Sequence, residues 1–400
     1  MSEETLVDVH DDALTDTLLA FEKETLLNGR YEVVEELGFG RHSSVWLARD
    51  TSVGKCPLRA VKVLTRRATR LEMDEQGLSY ELELLRIIKD AIRRKPDDPG
   101  SSHVVQFLDD FTLSSPLGDH LALVTNVLGH HVGELQAEFE NGRLPSSVVR
   151  HFGRQLLQAL AFLHDECGIV HTDIKQDNII LDDFGATDTN VMEVSISLAD
   201  FGEAVPAHGD HYGLIQPTTL RCPEVIAGLE WDAKADIWNL GCLIFELLAG
   251  TRLFVSQETR NANDELLVSR NQFHLAHIYS YLQLPQESDT TLNNYLSHGR
   301  WAAELFSHEE GLRAKVTSKM SLEEILHHYD IYTPELLRLL RGMLRILPHD
   351  RLSARELLLQ DWFHVREHGL GGSGPNSVLD KDDNVGTFEG LHSDRVGESD

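Results

Sequence analysis

The chain has 400 residues, of which 41% are hydrophobic and 25% charged, values typical of soluble globular proteins with room for two packed lobes. Its formal net charge of −29 argues against nucleic-acid binding through a basic face and favours cationic partners. The acidic N-terminus does not read as a targeting peptide, and no apolar run is long enough to span a bilayer. With four scattered cysteines expected to be reduced thiols, these features predict a protein of the cytoplasm, the nucleus or both.

The first part of the chain predicts a sheet. After an acidic extension over residues 1–27, the stretch NGRYEVVEELGFGRHSSVWLARD (28–50) reads as strand, glycine turn and strand. Three more strands are predicted at 58–64, 104–111 and 120–127. Residues 74–92 carry apolar side chains at helical spacing, among them Leu78, Leu82, Leu85, Ile88 and Ile92. We therefore expect residues 28–128 to form a small, mainly antiparallel sheet lobe with one helix.

The rest of the chain reads as mainly helical. An amphipathic helix is predicted at 146–166, opened by Pro145, and another at 235–250, with further helices to about residue 365. Residues 129–365 would form a large helical lobe, so the expected fold is α+β and bilobal. The tail 366–400 lacks periodic apolar residues and is rich in Gly, Ser and Asp, which predicts disorder.

The glycine turn GFGRHS (38–43) is the first stretch that points to chemistry. Gly38 and Gly40 would let the backbone approach a phosphate closely. Small residues also make tight hairpins, so this feature alone does not decide between binding and structure. Ser43 occupies the third position of the usual glycine pattern, and its small side chain could donate a hydrogen bond to a phosphate.

Lys62 lies inside an otherwise apolar strand, RAVKV, where a charged head needs an anionic partner. A phosphate and a carboxylate of the following helix would both serve. Glu81 and Glu83 are the two candidates. Glu81 is favoured because a core-facing helical turn begins three residues after it.

The stretch IVHTDIKQDNIIL (169–181) has the residues that phosphoryl transfer needs. Asp173 could orient a hydroxyl and accept its proton, Lys175 could offset the charge of the transferred group, and Asn178 could hold a metal. In ADFGEA (199–204), Asp200 supplies an oxygen ligand suited to Mg²⁺. Either stretch alone could be a helix cap or a turn. Their order after the glycine loop and Lys62 matches the protein-kinase signature.

From residue 31 to 364 the chain resembles the eukaryotic protein kinases of the CMGC group. NVLGHH (126–131) and HTDIKQDNI are similar to the SR-protein kinases, which phosphorylate serines in Arg/Ser repeats. Residues 292–329 resemble the helical insert of the CMGC group. The resemblance implies a serine/threonine kinase that uses ATP and Mg²⁺ and acts on protein substrates, Arg/Ser-rich proteins among them. A monomer without nucleic-acid or membrane partners is expected.

The resemblance also assigns roles to positions. It implies catalytic roles for Asp173 and Lys175 and metal binding by Asn178 and Asp200. The residues that it places around the nucleotide are Leu37, Gly38, Gly40, Ser43, Val45, Ala60, Lys62, Glu81, Thr125, Asn126, Leu128 and Ile180. Of these, Thr125 would be the gatekeeper. The backbone groups of Asn126 and Leu128 would form hydrogen bonds with the adenine edge. It further implies an ion pair between Glu224 and Arg351 and an anchoring role for Asp236 beneath the catalytic loop.

The chain departs from the SR-protein kinases in three places. Only a short segment separates Asn178 from Asp200, where that group carries a long spacer that governs localisation. Pro217 and Thr218 replace a Thr-Arg pair of the substrate loop, which leaves selectivity beside the phosphorylated serine open. The acidic run of the docking groove is replaced by the neutral residues 271–273. Three acidic residues nearby are candidate substitutes for it: Glu258, Asp264 and Glu265.

Thr172 stands between His171 and Asp173, where most protein kinases have an arginine that pairs with a phosphorylated activation loop. Threonine cannot make that charged pair. The sequence therefore predicts a kinase that is active without activation-loop phosphorylation. The alternatives are a pseudokinase or scaffold that binds ATP without transfer, a kinase of another substrate class, and a small-molecule phosphotransferase. The segments CPE (222–224) and ADIW (235–238) argue against the last of these.

Overall fold

The computed structural model describes residues 17–74, 79–116, 118–182, 188–282, 290–307, 311–314, 320–364 and 387–389. These residues form a sheet lobe followed by a helical lobe, which confirms the predicted α+β, bilobal fold. The helices are α1 (Arg66–Glu72), α2 (Glu81–Arg94), α3 (Val132–Ala137), α4 (Ser146–Phe162), α5 (Pro223–Ala227), α6 (Lys234–Ala249), α7 (Arg270–Tyr281), α8 (Thr290–Ser297), α9 (Ala302–Leu305), α10 (Leu322–His328), α11 (Pro334–Met343) and α12 (Ala354–Leu358).

The first lobe is built on an antiparallel sheet with the strand order β1-β2-β3-β4-β6-β5. Its strands are β1 (Leu26–Leu27), β2 (Tyr31–Phe39), β3 (Ser43–Asp50), β4 (Leu58–Leu64), β5 (Phe107–Ser115) and β6 (Gly118–Thr125). One face buries a cluster that includes Trp46, Val61 and Phe111. Alternate residues of each strand face this cluster because side chains of a strand point to opposite faces in turn. The other face is turned toward the helical lobe and carries Ala60 and Lys62.

The prediction of a single helix in this lobe is wrong, because α1 precedes α2. Thr65 caps α1 by accepting a hydrogen bond from the backbone N–H of Ala68 at 3.2 Å, and Thr69 ties the helix to β6. The sequence of α1 is mostly polar, so it has no apolar periodicity. In α2 the buried apolar residues are Leu84, Leu85, Ile88 and Ala91.

The predicted apolar face of α2 is therefore only partly right. Leu85 and Ile88 are buried as expected, whereas Leu82 and Ile92 are half-buried. Leu78 lies outside the described residues. Burial follows contacts with the sheet and the helical lobe, and these shift the buried stripe by about one residue from the predicted face.

The helical lobe is organised around α6, which is buried from Ala235 to its end. Helix α4 ends at Phe162, earlier than predicted, because a π turn over Leu163–Cys167 closes the helix at Gly168, whose φ is 65°. Glu224 at α5 and Arg351 form a doubly hydrogen-bonded ion pair at 2.6 Å, and both side chains are fully buried. This pair joins the two segments as the resemblance implied.

Short strands complete the lobe. They are β7 (Ile169–Val170), β8 (Ile179–Leu181), β9 (Asp188–Asn190), β10 (Ile196–Leu198), β11 (Val205–Pro206), β12 (Thr259–Arg260), β13 (Leu266–Val268), β14 (Phe306–Ser307), β15 (Gly311–Leu312) and β16 (Thr387–Glu389). The predicted disordered tail 366–400 lies outside the described residues except for β16, which pairs with β9. Most of the predicted extension 1–27 also lies outside them. None of the described helices is both long and apolar enough to cross a membrane.

Candidate active site

A cavity of about 490 Å³ lies between the two lobes. Every residue predicted to surround the nucleotide lines this cavity, and so do both predicted metal ligands, Asn178 and Asp200. The predicted catalytic residues Asp173 and Lys175 lie next to it, on the loop that carries Asn178. Side chains from both lobes and from the segment that joins them therefore converge on one space.

The glycine turn covers the cavity. A Cβ atom built at Gly38 or Gly40 would meet no protein atom within 4 Å, so neighbouring side chains do not demand glycine at either position. The N–H of Gly40 donates to the carbonyl oxygen of Ser43 at 2.8 Å, which closes the turn. The absence of side chains leaves a free backbone edge above the cavity, as a phosphate-binding turn requires.

Lys62 connects the two lobes. Its Nζ donates to Glu81 at 2.7 Å and to Asp200 at 2.8 Å, which identifies Glu81 rather than the exposed Glu83 as its helix partner. Burial works against the charged ammonium, but the two carboxylates outweigh it, so the pKa of Lys62 lies above its ordinary value. The charge of Lys62 holds the pKa of Asp200 below its usual range. Asp200 is thus a carboxylate at neutral pH.

The catalytic loop fixes one oxygen of Asp173 and leaves the other open. Lys175 Nζ and Asn178 Nδ2 both donate to Asp173 Oδ2, at 2.8 and 2.9 Å. Among the described residues, none donates to Asp173 Oδ1. Beneath the loop, Asp236 accepts hydrogen bonds from the backbone N–H groups of His171 and Thr172 at 2.9 and 2.8 Å. The geometry therefore presents one carboxylate oxygen to an incoming hydroxyl group.

Lys175 is charged at neutral pH. Burial again opposes the charge, while the hydrogen bond and the negative charge of Asp173 raise the pKa of Lys175 above its ordinary value. Asp177 and Asp200 act in the same direction from further away. An ammonium group held beside the proton-accepting carboxylate can offset negative charge on a group that is transferred there.

The hinge between the lobes has backbone groups available to an adenine edge. The N–H of Asn126 is already used, since it donates to the carbonyl oxygen of Gln106 at 3.1 Å. The N–H of Leu128 has no hydrogen-bond acceptor among the described residues. The predicted contacts with adenine are thereby narrowed to the N–H of Leu128 and the carbonyl oxygen of Asn126, which accepts a hydrogen bond from the Thr125 hydroxyl group at 3.1 Å and has a second lone pair. Thr125 lines the cavity at the gatekeeper position.

The donor set fits a divalent ion that is shared with a nucleotide. Asn178 uses its amide nitrogen for Asp173, so its amide oxygen is left for a cation. In the described part of the chain, no three His, Cys, Asp or Glu side chains converge closely enough to hold a metal ion. Asp200 and Asn178 would therefore supply two hard oxygen ligands, and phosphate oxygens and water would supply the rest, as Mg²⁺ prefers.

The activation segment, defined as residues 200–224, has an ion pair at each end, at Asp200 and at Glu224, and is held between these ends by hydrogen bonds. Gln216 donates to Asn239 at 2.8 Å and accepts from the N–H of Cys222 at 2.8 Å. Arg221 donates to the carbonyl oxygens of residues 215 and 216, both at 3.1 Å. Near its start, Thr172 Oγ1 donates to the carbonyl oxygen of Glu203 at 2.7 Å. Pro217, one of the two departures in the substrate loop, caps a short turn over Thr218–Leu220.

The three acidic residues predicted to replace the acidic run of the docking groove are largely engaged in contacts within the chain. Glu258 lies 3.0 Å from Arg260 and 3.8 Å from Arg270, and Asp264 lies 3.8 Å from Arg260. Glu265 accepts a hydrogen bond from an asparagine side chain at 2.6 Å. The arginines of this chain thus neutralise part of the surface that would have to bind a basic peptide.

Sequence reasoning missed several residues that line the cavity: Phe39, Leu85, Val105, Leu123, Gly129, His131, Glu134, Asp177, Ala199 and Phe201. The position of Leu123 could have been predicted from the sequence, because Leu123 lies two residues before Thr125 and so on the same face of β6. Glu134 closes a capping box with His131 at the start of α3, but a histidine stands where the usual pattern has serine or threonine, so the pattern could not be recognised from the sequence. No local pattern in the sequence indicates that Val105 lines the cavity. Its position depends on β10, since the N–H of Val105 donates to the carbonyl oxygen of Leu198 at 3.0 Å.

The protein kinase domain family matches residues 31–363, so the chain belongs to the protein kinase family. A serine/threonine protein kinase of Aspergillus fumigatus is 28% identical over 84% of this chain and 85% of its own length. The serine/threonine-protein kinase SRPK of Physarum polycephalum is 26% identical over 82% of this chain and 84% of its own length. SKY1 of Saccharomyces cerevisiae is 35% identical over 41% of this chain and 21% of its own length.

Among solved structures, the kinase domain PF14_0431 superposes with a TM-score of 0.66 and covers 86% of this chain and 98% of its own length. At 23% sequence identity this likeness shows the fold. The predicted resemblance to CMGC-type and SR-protein kinases is confirmed by curated relatives that are named serine/threonine kinases, SRPK and SKY1 among them. The family match and the names of these relatives confirm the prediction of a protein serine/threonine kinase.

Proposed function

We propose that the protein transfers the γ-phosphoryl group of ATP to a serine or threonine hydroxyl group of a protein substrate. The observation that carries the proposal is the geometry of Asp173, which has one carboxylate oxygen fixed by Lys175 and Asn178 and the other open. Membership of the protein kinase family supports it.

Each step assigned to this chain has a group in place. Asp173 Oδ1 orients the hydroxyl group and accepts its proton, and Lys175 offsets the charge of the transferred group. Lys62, fixed by Glu81, holds the nucleotide phosphates, and Asp200 and Asn178 would hold Mg²⁺. ATP, when bound, supplies the phosphoryl group, and Mg²⁺ neutralises charge on its phosphates.

Asp173→Asn tests this assignment. Loss of the proton-accepting carboxylate should lower kcat roughly 10²- to 10⁴-fold while nucleotide binding remains, measured by phosphate transfer and by the thermal shift with Mg·ATP. Asp90→Asn, a change of the same kind on the exposed face of α2, is the control. Binding of Mg·ATP by the unchanged protein without any transfer would instead identify a pseudokinase.

We infer that the substrates are basic proteins with Arg/Ser-rich segments. The net charge of −29 and the likeness to kinases named SRPK support this class. The exposed carboxylate of Asp177 at the mouth of the cavity adds to the negative potential there. The partly neutralised docking surface around Glu258 predicts weaker docking than an acidic groove would give.

A peptide array tests the substrate class. Arg/Ser repeats should be phosphorylated faster than Ser-Pro peptides of equal length, and repeats with citrulline in place of arginine serve as the control for charge. Equal or faster phosphorylation of the Ser-Pro set would exclude this class and favour another kinase specificity.

We further propose that the kinase is active without activation-loop phosphorylation. The hydrogen bonds of Thr172, Gln216 and Arg221 support this, because they hold the segment without a phosphate. Protein treated with a phosphatase, with loss of phosphate verified by mass spectrometry, should keep its activity. A collapse of activity after treatment would refute the idea.

We also propose a monomer that resides in the cytoplasm or the nucleus and has no nucleic-acid partner. The strongly acidic charge supports the last point, since phosphate backbones would be repelled. Light scattering on the purified full chain and imaging of a tagged chain in cells test mass and location. A dimeric mass, or a membrane-bound signal, would contradict the proposal.

A further inference from the structure

Helix α2 begins without a capping side chain of its own, although its first turn carries Glu81, the partner of Lys62. The residue before the helix, Tyr80, makes no side-chain hydrogen bond to the first turn. The N–H of Leu84 donates to the carbonyl oxygen of Tyr80 at 2.8 Å, which leaves the N–H groups of residues 81–83 without an acceptor inside the helix. In most helices a side-chain oxygen accepts from one of these groups.

Glu72, the last residue of α1, supplies that oxygen from another helix. Its Oε1 accepts a hydrogen bond from the N–H of Leu82, the second residue of α2, at 2.6 Å. Its Oε2 accepts from the hydroxyl group of Ser79, just before α2 begins. An oxygen bonded to the second N–H of a helix takes the place of a capping side chain. Glu72 therefore caps α2.

The contact favours α2 and not the helix to which Glu72 belongs. A carboxylate is unfavourable at the C-terminal end of a helix, where Glu72 stands in α1, and favourable at the N-terminal end, where it meets α2. Helix α1 is itself fixed to the sheet, because Thr69 Oγ1 accepts from the backbone N–H of Leu121 in β6 at 2.8 Å. A series of contacts thus runs from β6 through α1 and Glu72 to the turn that carries Glu81.

We propose that Glu72 is a positioning residue for phosphoryl transfer, which holds the first turn of α2 where Glu81 can fix Lys62. The proposal rests on the kinase function proposed above. Leu82, the residue bonded by Glu72, directly follows Glu81, whose distance to Lys62 Nζ is 2.7 Å. A shift of this turn by about 1 Å would take that pair out of hydrogen-bond range. Lys62 would keep Asp200 as a partner and hold the nucleotide phosphates less firmly.

Electrostatics alone predicts the opposite effect of removing Glu72. Burial raises the pKa of the Glu81 carboxyl group, and the negative charge of Glu72 acts in the same direction. Loss of that charge would therefore favour the ionised form of Glu81 and strengthen its pairing with Lys62. Loss of the hydrogen bonds would release the start of α2 and weaken the pairing. The two effects have opposite signs, so variants of Glu72 distinguish them.

Glu72→Ala tests the proposal on the full chain. The KM for ATP should rise roughly fivefold, the factor expected for the loss of one capping hydrogen bond, while the KM for a serine peptide stays the same. A loss of folded protein alone would lower the apparent kcat and leave both KM values unchanged. Glu138→Ala, the same change at the exposed C-terminal end of α3, is the control.

Two conservative variants separate reach from charge, and they decide the question if Glu72→Ala does not fold. Glu72→Gln keeps an oxygen that can accept from the N–H of Leu82 and loses the charge, so the KM for ATP should stay within about twofold of the original value. Glu72→Asp keeps the charge and shortens the side chain by about 1.5 Å, so it should raise the KM for ATP as alanine does.

Two further measurements need no phosphoryl transfer, so the proposal can fail separately from the kinase function. In Glu72→Ala and Glu72→Asp, amide hydrogen exchange of residues 81–84 should become several-fold faster, and the Kd for Mg·ATP should rise as the KM does. Exchange of residues 91–94, at the other end of α2, should not change. Unchanged exchange of residues 81–84 together with an unchanged Kd would overturn the proposal. So would tighter binding of Mg·ATP, the result that electrostatics alone predicts.

Discussion

At the scale of single residues, Thr172 shows how the catalytic loop is arranged. Its φ is 67°, a conformation that β-branched residues rarely adopt, and it is buried. Its backbone N–H donates to Asp236 and its hydroxyl group donates to the carbonyl oxygen of Glu203. These two hydrogen bonds offset the backbone strain. They also connect the catalytic loop to the first residues of the activation segment.

Thr172→Val should loosen that connection. Valine keeps the shape and removes the donor, at an expected cost of about 1 kcal/mol. Amide hydrogen exchange in residues 203–216 should become faster and kcat should fall a few-fold, while the KM for ATP stays the same. Thr112→Val, at an exposed position of β5, is the control. Unchanged exchange in residues 203–216 would show that the hydroxyl group has no part in ordering the segment.

Single residues also show where sequence reasoning stops. The partner of Lys62 could be chosen correctly from helical spacing, because Glu81 and Glu83 differ in the face that they occupy. The positive φ angle of Thr172 had no local signal, since β-branched residues rarely adopt that conformation, whereas aspartate tolerates it more often at positions such as Asp200. In Thr172 the conformation depends on Asp236, which lies 64 residues further along the chain.

At the scale of elements, the fully buried ion pair between Glu224 and Arg351 fixes α5 to the end of the helical lobe. Glu224→Gln should destabilise the protein by about 3–5 kcal/mol, because Arg351 would remain buried without a counter-charge. Urea unfolding measures the change. Glu323→Gln removes the exposed partner of Arg341 and should cost less than about 1 kcal/mol. Similar losses of unfolding free energy in the two variants would show that burial does not make the Glu224–Arg351 pair more important for stability than an exposed pair.

Helix α7 carries a buried histidine that makes stability depend on pH. His277 Nδ1 accepts a hydrogen bond from the N–H of Val255 at 3.0 Å, which only the neutral ring can do. Burial lowers the pKa of His277 to about 4, below the value near 6.5 of an unfolded chain. The unfolded state therefore binds a proton more readily. The contribution of His277 to the free energy of unfolding is therefore fully present above about pH 6.5 and is lost as the pH falls toward 4.

His277→Asn should flatten this pH dependence, because asparagine can accept the same hydrogen bond without titrating. The difference in the free energy of unfolding between pH 7 and pH 4 should shrink by about 2–3 kcal/mol. Burial also lowers the pKa of His274, on the same helix, to about 4, so part of the slope should remain. An identical slope in the variant and the unchanged protein would show that His277 does not titrate on unfolding.

Prediction from sequence succeeded for elements with a regular apolar pattern. Strands β2 to β4 and helix α6 were found because alternation and continuous burial leave a clear signal. Helix α1 was missed because the cap at Thr65 and contacts with β6 stabilise it, rather than an apolar face. The cap itself was visible in the sequence, but a threonine before a polar stretch also occurs in many loops.

At the scale of the whole molecule, the two lobes meet at one cavity, and residues far apart in sequence act together there. Lys62 and Asp200 are 138 residues apart and lie 2.8 Å from each other. The order of the motifs was enough to predict this convergence, because the protein kinase signature implies it.

The charge of the whole molecule leads to a final prediction. With a net charge of −29, the protein should attract basic peptides over distances that salt can screen. The value of kcat/KM for an Arg/Ser repeat should fall steeply between about 0.05 and 0.5 M salt, as the Debye length shrinks from roughly 14 to 4 Å. A neutral peptide with the same acceptor serine should show little change over that range. The ratio of the two values therefore separates electrostatic attraction from effects of salt on catalysis. A ratio that stays constant would mean that contacts at the site, and not the field of the molecule, select basic substrates.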